Sequence, residues 1–480
     1  MSLADTSVQI FDLLTPDCKA DDAYLDDVAR SKRFLEWWVG DPEFRARLLE
    51  DPLSATREAG LTADPEEIRA LWDDDPEVQA RPLTPSAQRY RAFITEKLRW
   101  RGTLRDLGRS PHPGFDAWRT RQINRCWGQL GLRKADGIIH APVSFELCRG
   151  CSVGCWFCGI GARKLTEVWP YDDANGALWR GTLTALYEVI GSSAARGFCY
   201  WATDPLDNPD YERFCVDFHE ILGRFPQTTT AQPLRDPARM RTLLALSRGR
   251  GCEVNRFSVL SKSILRKIFE TYTARELLHV ELVEQMDGSA DGKAFAGRAR
   301  ERGEKFQKAT SNPIPDDTNT STIACVSGFL VRMPARTIEL VSPCNADERW
   351  PLGYRVHDRR TFDGLESLRA CLADMTAALP VTLAFDAGVA LRRDLHLERT
   401  ADGFTLTSPF IRHTFNSARY PAMRELGETL AEGGTAGDIA LAVERARGVD
   451  LHVTLHALNK LFGAGFFDDE PAFSQEADRD

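Results

Sequence analysis

Four of the twelve cysteines in this 480-residue chain fall within one short run, C-R-G-C-S-V-G-C-W-F-C, from Cys148 to Cys158. Thiolates are ligands that both iron–sulfur clusters and structural zinc favour. A tight loop that carries Cys151, Cys155 and Cys158 can bind three irons of a [4Fe–4S] cluster. With Cys148 as a fourth ligand, the run could also hold a fully ligated electron-transfer cluster or one zinc ion. The spacing favours the three-cysteine cluster, because zinc sites usually separate their cysteine pairs by about a dozen residues.

The cysteine run follows a predicted strand, in which Val143, Phe145 and Leu147 alternate with polar residues. Further along the chain, strand and helix patterns alternate, which predicts βα units and a parallel sheet. The predicted strands are 197–203, 228–232, 254–260 and 279–283, and the predicted helices are 172–195, 211–225, 236–247 and 263–278. Sheets of this kind carry their chemistry at the carboxyl ends of the strands.

Helices are predicted on both sides of this region. Apolar residues recur with helical spacing from Asp22 to Trp38, and Asp-Pro pairs at Asp41, Asp51 and Asp64 predict three further helix starts. The polar stretch 287–317 predicts a loop or lid. The remaining predicted elements are a helix over 86–107, a linker near 108–113, strands over 323–332 and 337–341, and helices over 363–378, 423–432, 436–446 and 451–462.

The composition argues against several classes of protein. The formal net charge is −9, from 61 basic and 70 acidic side chains, which disfavours a dedicated nucleic-acid binder. No apolar run approaches the ~20 residues of a membrane span, and residues 1–21 lack the basic, apolar and small-residue succession of a secretory signal. Clustered cysteines fit a reducing compartment better than a disulfide scaffold. We therefore expect a cytoplasmic protein that binds neither nucleic acid nor membrane.

The spacing Cys-x3-Cys-x-Phe-Cys after the first strand of a βα repeat resembles the radical S-adenosylmethionine (SAM) superfamily. The resemblance implies an α/β fold with a partial (β/α)6 TIM-like barrel over roughly residues 137–345. It also implies that Cys151, Cys155 and Cys158 bind a [4Fe–4S] cluster beside Phe157, and that SAM chelates the fourth iron. One electron then splits SAM into methionine and a 5′-deoxyadenosyl radical. The implied domains are a helical N-terminal region (1–110), the barrel (111–345), a substrate-side extension (346–420) and a helical or winged-helix tail (421–480).

Two further stretches bear on SAM binding. The family's glycine-glycine-glutamate-proline-like turn falls here on W-A-T-D-P, without the glycines, so the resemblance carries over only Thr203 and Asp204. An Asx-turn at a strand end is an equally open interpretation of Asp204. In the fourth strand, Asn255, Arg256 and Ser258 could meet the ribose or carboxylate of SAM, and ordinary alternation along a barrel strand is the alternative.

The segment S-P-C-N-A-D-E-R-W-P-L-G-Y, which follows the last predicted strand, supplies Cys344 at the expected mouth of the barrel. Together with the cysteine run and W-A-T-D-P-L-D-N-P-D-Y, it resembles proteusin-type radical SAM epimerases, which convert L- to D-residues in ribosomally made peptides. This resemblance implies that a radical removes the α-hydrogen and that the Cys344 thiol returns a hydrogen atom to the opposite face. The cysteines after Cys158 are single and far apart, unlike the clustered cysteines of relatives with auxiliary clusters.

Two regions resemble peptide-binding elements. Residues 34–52 resemble leader-peptide domains of the nitrogenase-associated type, and residues 423–467 resemble winged-helix peptide-recognition elements; a helical cap and a structural tail are the alternatives. The implied partners are a ribosomally synthesised precursor peptide, with leader and core, and a reductase or flavodoxin/ferredoxin electron donor. Two rival functions stay open. One is a radical SAM maturase that cross-links a peptide or excises a backbone fragment, and the other is a zinc-stabilised adaptor that binds a leader without chemistry.

Overall fold

The N-terminal part of the chain is helical, as predicted. The computed structural model describes residues 8–15, 17–285, 294–310, 322–418 and 420–471. The side chains of Asp41 and Asp51 each accept a hydrogen bond from a backbone N–H in the first turn of a helix that begins with proline. These two predicted helix starts are therefore confirmed. The helices are α1 (Asp22–Gly40), α2 (Pro42–Glu50), α3 (Pro52–Glu58), α4 (Pro76–Gln79), α5 (Pro85–Leu107), α6 (Pro113–Leu130) and α7 (Leu132–Asp136).

Nine strands follow within the described residues, and most belong to two sheets. They are β1 (Ala141–Glu146), β2 (Cys148–Arg149), β3 (Glu167–Val168), β4 (Thr229–Thr230), β5 (Asn255–Val259), β6 (Val280–Glu284), β7 (Val326–Arg332), β8 (Thr337–Pro343) and β9 (Tyr354–Thr361). In one sheet, β1 pairs in parallel with β7, and β8 and β9 continue it in antiparallel order. In the other, β4, β5 and β6 are all parallel.

Helices alternate with these strands, which confirms the predicted alternation of strands and helices. They are α8 (Asp173–Ile190), α9 (Tyr211–Leu222), α10 (Pro237–Arg248), α11 (Lys262–Thr271) and α12 (Gly297–Thr310). The prediction of a loop or lid over 287–317 is wrong where α12 lies, because its polar residues stabilise a helix through pairs such as Arg300–Glu304, 2.6 Å apart. Residues 294–296 have no regular structure, as predicted, and the other parts of that stretch, 287–293 and 311–317, lie outside the described residues.

The described residues do not show the predicted single partial barrel. Strand β7 joins the edge of β1 rather than extending the β4–β5–β6 sheet, and β8 runs antiparallel to it. The segment 197–203, predicted as a strand, forms only one bridge, between Ser144 and Phe198. Its backbone also leaves the extended conformation at Ala202, where φ is +50°, so a regular strand could not continue to residue 203. The coarser prediction of a mixed α/β fold is confirmed.

One apolar core fixes the N-terminal helices to the sheets. It joins Phe34 of α1 and Phe44 of α2 to Phe145 of β1 and Trp179 of α8. Phe145 packs edge-on against Trp179, with ring centroids 4.6 Å apart, and both side chains are fully buried. Residues on both sides of position 110 therefore share this core, and the predicted domain boundaries stay a prediction.

The C-terminal region has a second apolar core. Its elements, after α13 (Leu365–Ala377), are β10 (Gly388–Val389), β11 (His396–Thr400), β12 (Gly403–Thr407), β13 (Arg412–Asn416), α14 (Met423–Glu432), β14 (Gly434–Thr435), α15 (Ala436–Arg447) and α16 (Leu451–Gly463). The three predicted helices are confirmed, and the antiparallel sheet β11–β12–β13 packs with them through Phe404, Leu426 and Leu458. No helix in the described ranges is both long and apolar enough to cross a bilayer.

Candidate active site

The cysteine run forms a loop that begins just beyond β2. The backbone N–H of Cys151 donates to the Arg163 carbonyl at 2.8 Å, and the Cys151 carbonyl accepts from Leu165 at 3.2 Å. At the other end, the backbone N–H of Ala162 donates to the Cys158 sulfur at 3.4 Å. The two ends of the loop are therefore held together, and its sulfurs are kept on a short, fixed stretch of chain.

Three of the four cysteines in the run share one cavity. Cys151, Cys155 and Cys158 are half-buried and line a cavity of about 340 Å³. Burial raises the pKa of Cys155 to about 11, and the neighbouring Cys158 and Cys151 thiols add to this rise because their negative charges would repel. Cys148 is fully buried outside the cavity, and burial raises its pKa to about 12. The structure thus separates Cys148 from the other three.

The first residues of α12 hold the cysteine loop from outside. The backbone N–H of Arg298 donates to the Cys158 carbonyl, and its Nη1 donates to the Cys155 carbonyl, each at 3.0 Å. Its Nη2 donates to the Ala162 carbonyl. A Cβ on Gly297 would lie only 2.6 Å from the Cys158 carbonyl oxygen, so only glycine permits this approach. No sequence pattern indicated this contact, since Gly297 and Arg298 lie in the stretch predicted as a loop or lid.

The five residues predicted to contact the cofactor line the same cavity as the three cysteines. They are Phe157, Thr203, Asp204, Arg256 and Ser258. They come from the cysteine loop, from the segment after Phe198 and from β5, so three distant parts of the sequence meet there. The structure shows their common location, while their roles in binding stay a prediction.

Asp204 makes its hydrogen bonds within the protein. Its carboxylate accepts from the Thr230 hydroxyl at 2.8 Å, from the Ala231 backbone N–H at 2.7 Å and from the Leu206 backbone N–H at 3.1 Å. The bond from Leu206 closes an Asx-turn, which confirms that interpretation of the residue. Burial raises the pKa of Asp204, and these three bonds oppose the rise. The side chain therefore links the 197–203 segment to β4 at the wall of the cavity.

Side chains alternate between the two faces of β5, so the three residues proposed to contact SAM on that strand do not all face the cavity. Arg256 and Ser258 line the cavity, and the Arg256 Nε donates to Glu281 on β6 at 2.8 Å. Asn255 is buried away from the cavity, where its Nδ2 donates to the Ser247 hydroxyl at 2.7 Å. Arg256 is thus the cation that the β5 strand presents to the cavity, and Asn255 has a structural role.

Cys344 lies behind the cavity wall rather than in it. It is buried in an apolar cluster with Trp201 and Tyr354 and is absent from the lining of the cavity. Cys325, which sequence reasoning did not single out, packs against the same cluster and does line the cavity. Burial raises the pKa of Cys344 to about 12 and that of Cys325 to about 11, so both thiols stay protonated at neutral pH.

Strand polarity explains the position of Cys344. Because β8 runs antiparallel to β7, its last residues lie beside the start of β7, with Val341 opposite Gly328. The segment after β8 therefore lies at the end of the sheet opposite to the carboxyl end of β1, where the sequence had predicted the mouth of a barrel. Cys325, one residue before β7, lies at that same end.

Other cavity residues were also missed. Trp201 lines the cavity, and its buried Nε1 has no hydrogen-bond partner among the residues that the structure describes. Ala202 lines it too, in a left-handed conformation (φ +50°) that glycine adopts at lower cost. The W-A-T letters at this place contained both signals, an aromatic residue at a strand end and a small residue where the resembled turn has glycine.

The chemistry of the donor set fits an iron–sulfur cluster with one open corner. Three thiols face one cavity on a loop tied at both ends, and each can bind a different iron. A single zinc ion would need its ligands about 2.3 Å from one point. No group of three or more His, Cys, Asp or Glu side chains within the described ranges is arranged to hold one metal ion. The described conformation therefore does not show the closed site of the zinc alternative.

Comparison with known proteins adds one clear relative. The chain is 38 % identical over 476 residues to the uncharacterized protein y4wI of Sinorhizobium fredii, covering 96 % of this chain and 90 % of the relative. No family model matches the chain. Among solved structures, BtrN in complex with AdoMet and 2-DOIA is similar with a TM-score of 0.31 and 15 % identity, over 50 % of this chain and 86 % of BtrN. An open conformation of BtrN gives a TM-score of 0.25 and 13 % identity, over 50 % and 85 % of the two chains. With TM-scores this low, neither structure indicates the function of this chain.

Proposed function

We propose that this chain, which belongs to the family of the Sinorhizobium fredii protein y4wI, is a radical SAM enzyme with a [4Fe–4S] cluster on Cys151, Cys155 and Cys158. One observation carries the proposal: three half-buried thiols share a cavity while the fourth cysteine of the run is buried elsewhere. A cluster held by three thiolates has one iron left for an external ligand. When bound, the cluster and SAM supply one-electron cleavage of the sulfonium to a carbon radical that abstracts hydrogen.

The residues around the three cysteines suit a charged, water-excluding chamber. Arg256 provides a guanidinium that can bind the carboxylate of SAM, and the hydroxyl groups of Ser258 and Thr203 lie on the same wall. Phe157 and Trp201 supply aromatic surface that excludes water from the chamber. Arg298 and Gly297 act as positioning residues, since they hold the cysteine loop without lining the cavity.

We further propose that the reaction is the epimerisation of residues in a ribosomally made precursor peptide. Once an α-hydrogen has been removed, a thiol on the cavity wall returns a hydrogen atom from the other face. The S–H bond breaks homolytically, a C–H bond forms, and one electron from the donor protein with one solvent proton restores the thiol. The geometry favours Cys325 for this step, because it lines the cavity, while the sequence resemblance favours Cys344 behind it.

The proposed partners follow from the same reaction. A reductase or a flavodoxin/ferredoxin would supply the electron, and the precursor peptide would supply the substrate residues. The C-terminal unit, with its three-stranded sheet β11–β12–β13 and helices α14 to α16, is a compact element with its own core that could bind the leader. The N-terminal helices are the other candidate for this contact.

The cluster is tested by anaerobic reconstitution. The protein should become brown and bind about four irons with labile sulfide, and its electron paramagnetic resonance spectrum should change on addition of SAM. Serine in place of Cys151, Cys155 or Cys158 should abolish this spectrum. Cys148→Ser is the matched control and should retain it, because that thiol lies outside the cavity. Zinc without iron, or a spectrum that does not respond to SAM, contradicts the proposal.

The reaction is tested by incubating the precursor peptide with SAM in heavy water. Epimerisation predicts one solvent deuteron per inverted residue, because the donating thiol exchanges with solvent. Cross-linking or backbone excision predicts net loss of hydrogen without this label. Cys325→Ala and Cys344→Ala should both cleave SAM, and the variant that gives no D-residue identifies the donor. If both variants still invert residues normally, thiol return is wrong.

A further inference from the structure

A second cavity lies beneath α5, on the other side of Arg256 from the cysteine loop. Its volume is about 200 Å³, and it is bounded by α5 and by residues at the amino ends of the strands, such as Ile139 and Val254. Phe198 and Arg256 line both cavities and so form a common wall. Nothing in the proposed reaction uses this second cavity, and none of the cluster cysteines lines it.

The charges that line this cavity do not balance. Five cationic side chains face only two carboxylates, Glu253 and Glu281. Glu281 binds Lys97 at 3.2 Å and Arg256 at 2.8 Å, and Glu253 binds Arg224. The two carboxylates are therefore already engaged with three of the cations.

The unbalanced charge resides mainly on Arg196. The fifth cation, Arg101, pairs with the exposed Asp136 at 3.0 Å. Arg196 has no such partner: its Nη1 is buried and forms no hydrogen bond to any residue that the structure describes. Burial and the adjacent Arg224 together lower the pKa of Arg196 to about 10, and the nearby Glu253 opposes this fall. Arg196 is partly buried and shares the charge of Glu253 with Arg224, so the cations of the cavity still outnumber its carboxylates and an anion beside them would stabilise the folded chain.

We propose that this cavity is a binding site for a small anion, of the phosphate or carboxylate class, held by the guanidinium groups of Arg196 and Arg224. Guanidinium groups bind these planar or tetrahedral oxyanions through paired N–H donors. The cavity is smaller than the ~300 Å³ at which pockets for drug-sized ligands begin, which favours a single phosphate or a short carboxylate over a nucleotide. The Arg224 guanidinium stacks over the Trp100 ring, 5.2 Å from its centroid, and this contact helps to hold the guanidinium in place.

The test is a titration of the full-length chain with inorganic phosphate at constant ionic strength set with sodium chloride. We expect one saturable site by calorimetry and a melting temperature that rises with phosphate concentration. Citrate in a parallel titration distinguishes a carboxylate ligand from a phosphate ligand. Because the cavity is separate from the cysteine loop, cluster-free and reconstituted protein should bind the anion equally, whatever the outcome for the proposed reaction.

Arg196→Met keeps much of the side-chain length and removes the charge. It should bind the preferred anion at least ten-fold more weakly and, without anion, melt no lower than the wild type, because the positive charge next to Arg224 is removed. Arg196→Lys should fold and bind with intermediate affinity, since it keeps the charge without the paired donors. Arg266→Met, at an exposed arginine on α11, is the control and should bind as the wild type does. Equal affinity in wild type and Arg196→Met, or no saturable binding of either anion, overturns the proposal.

Discussion

Gly297, the first residue of α12, allows a direct test of how the cysteine loop is held. Its φ is +51°, and a Cβ there would lie 2.6 Å from the carbonyl oxygens of Cys158 and Gly159 and 2.8 Å from the Gly161 nitrogen. All three are backbone atoms, so no rotamer change relieves the overlap. In Gly297→Ala, the loop and the helix must separate by about 0.8 Å to reach an ordinary van der Waals distance of about 3.4 Å.

Two free-energy costs contribute to the expected effect of Gly297→Ala. A left-handed backbone costs a non-glycine residue about 1–2 kcal/mol. The separation also lengthens the hydrogen bond from the Arg298 backbone N–H to the Cys158 carbonyl, now 3.0 Å, which is worth about 1 kcal/mol. Docking of the loop on α12 should therefore weaken by about 2–3 kcal/mol, which corresponds to a roughly 30- to 150-fold smaller docking constant.

The assay is the rate at which a chelator removes iron from the anaerobically reconstituted protein. Gly297→Ala should release iron at least ten-fold faster than the wild type, because the loop undocks more often. Gly60→Ala is the matched control: Gly60 also has a positive φ, +68°, but a Cβ there meets nothing within 4 Å. It should lose stability without changing iron release. Equal release rates in Gly297→Ala and Gly60→Ala would refute the assignment of α12 as the support of the loop.

Three further predictions concern stability. Burial raises the pKa of Glu146 to about 7 even though Arg332 lies 3.3 Å away, so the free energy of unfolding should fall as the pH rises from about 4.5 to 7. Urea denaturation should show that Glu146→Gln gains about 1–3 kcal/mol over the wild type when the pH is raised from 5 to 8. Ala202→Gly should leave stability unchanged or raise it by up to about 1 kcal/mol, since φ is +50°, and a clear loss of melting temperature contradicts this. Asp469→Asn removes the carboxylate paired with the buried Arg125, leaving only the more distant Glu470 and Asp394 to offset its charge, and should cost about 1–3 kcal/mol in the same denaturation assay. An unchanged midpoint would argue against the pair.

Local capping chemistry predicted the starts of three helices, and one failure shows its limit. Asp41, Asp51 and Asp236 each begin a helix before proline, as predicted. Asp64 shows the same signature, yet only a short 3-10 turn follows it. There the Trp72 indole donates to the Pro65 carbonyl at 3.0 Å, so a nearby side chain occupies the acceptor that a helix would use. A cap starts a helix, but the packing of the following residues decides whether it propagates.

Helix α6 could not be predicted from apolar periodicity, because much of its buried face is polar. Arg119 and Arg121 are buried and donate to the His140 and Pro380 carbonyls, at 3.0 Å and 3.1 Å. Arg125 on the same helix is also buried, beside Asp469. These partners lie 21 or more residues away in the sequence. A pattern of this kind resembles a solvated helix until its long-range partners are known.

Order along one strand predicted which side chains share a cavity, while their roles there stay a prediction. Cysteine spacing after β1 and alternation on β5 brought Cys151 and Arg256 to the same cavity, because both rules depend only on local geometry. The position of Cys344 could not be predicted in this way, because it depends on whether β8 runs parallel or antiparallel to β7. Nothing in the alternation of apolar residues distinguishes these two directions. The antiparallel turn after β7 removed Cys344 from the predicted mouth and left Cys325 on the wall.

This arrangement bears on the stereochemistry of the proposed reaction. Inversion requires that hydrogen leaves one face of the α-carbon and returns to the other, so the radical source and the thiol must approach from different directions. The cluster cysteines follow the carboxyl end of β1, whereas Cys325 precedes the amino end of β7, which runs parallel to β1. Parallel pairing therefore brings the two groups into one cavity from opposite ends of adjacent strands. A peptide residue held between them would be exposed to each group on a different face, which is the geometry that inversion needs and that retention does not.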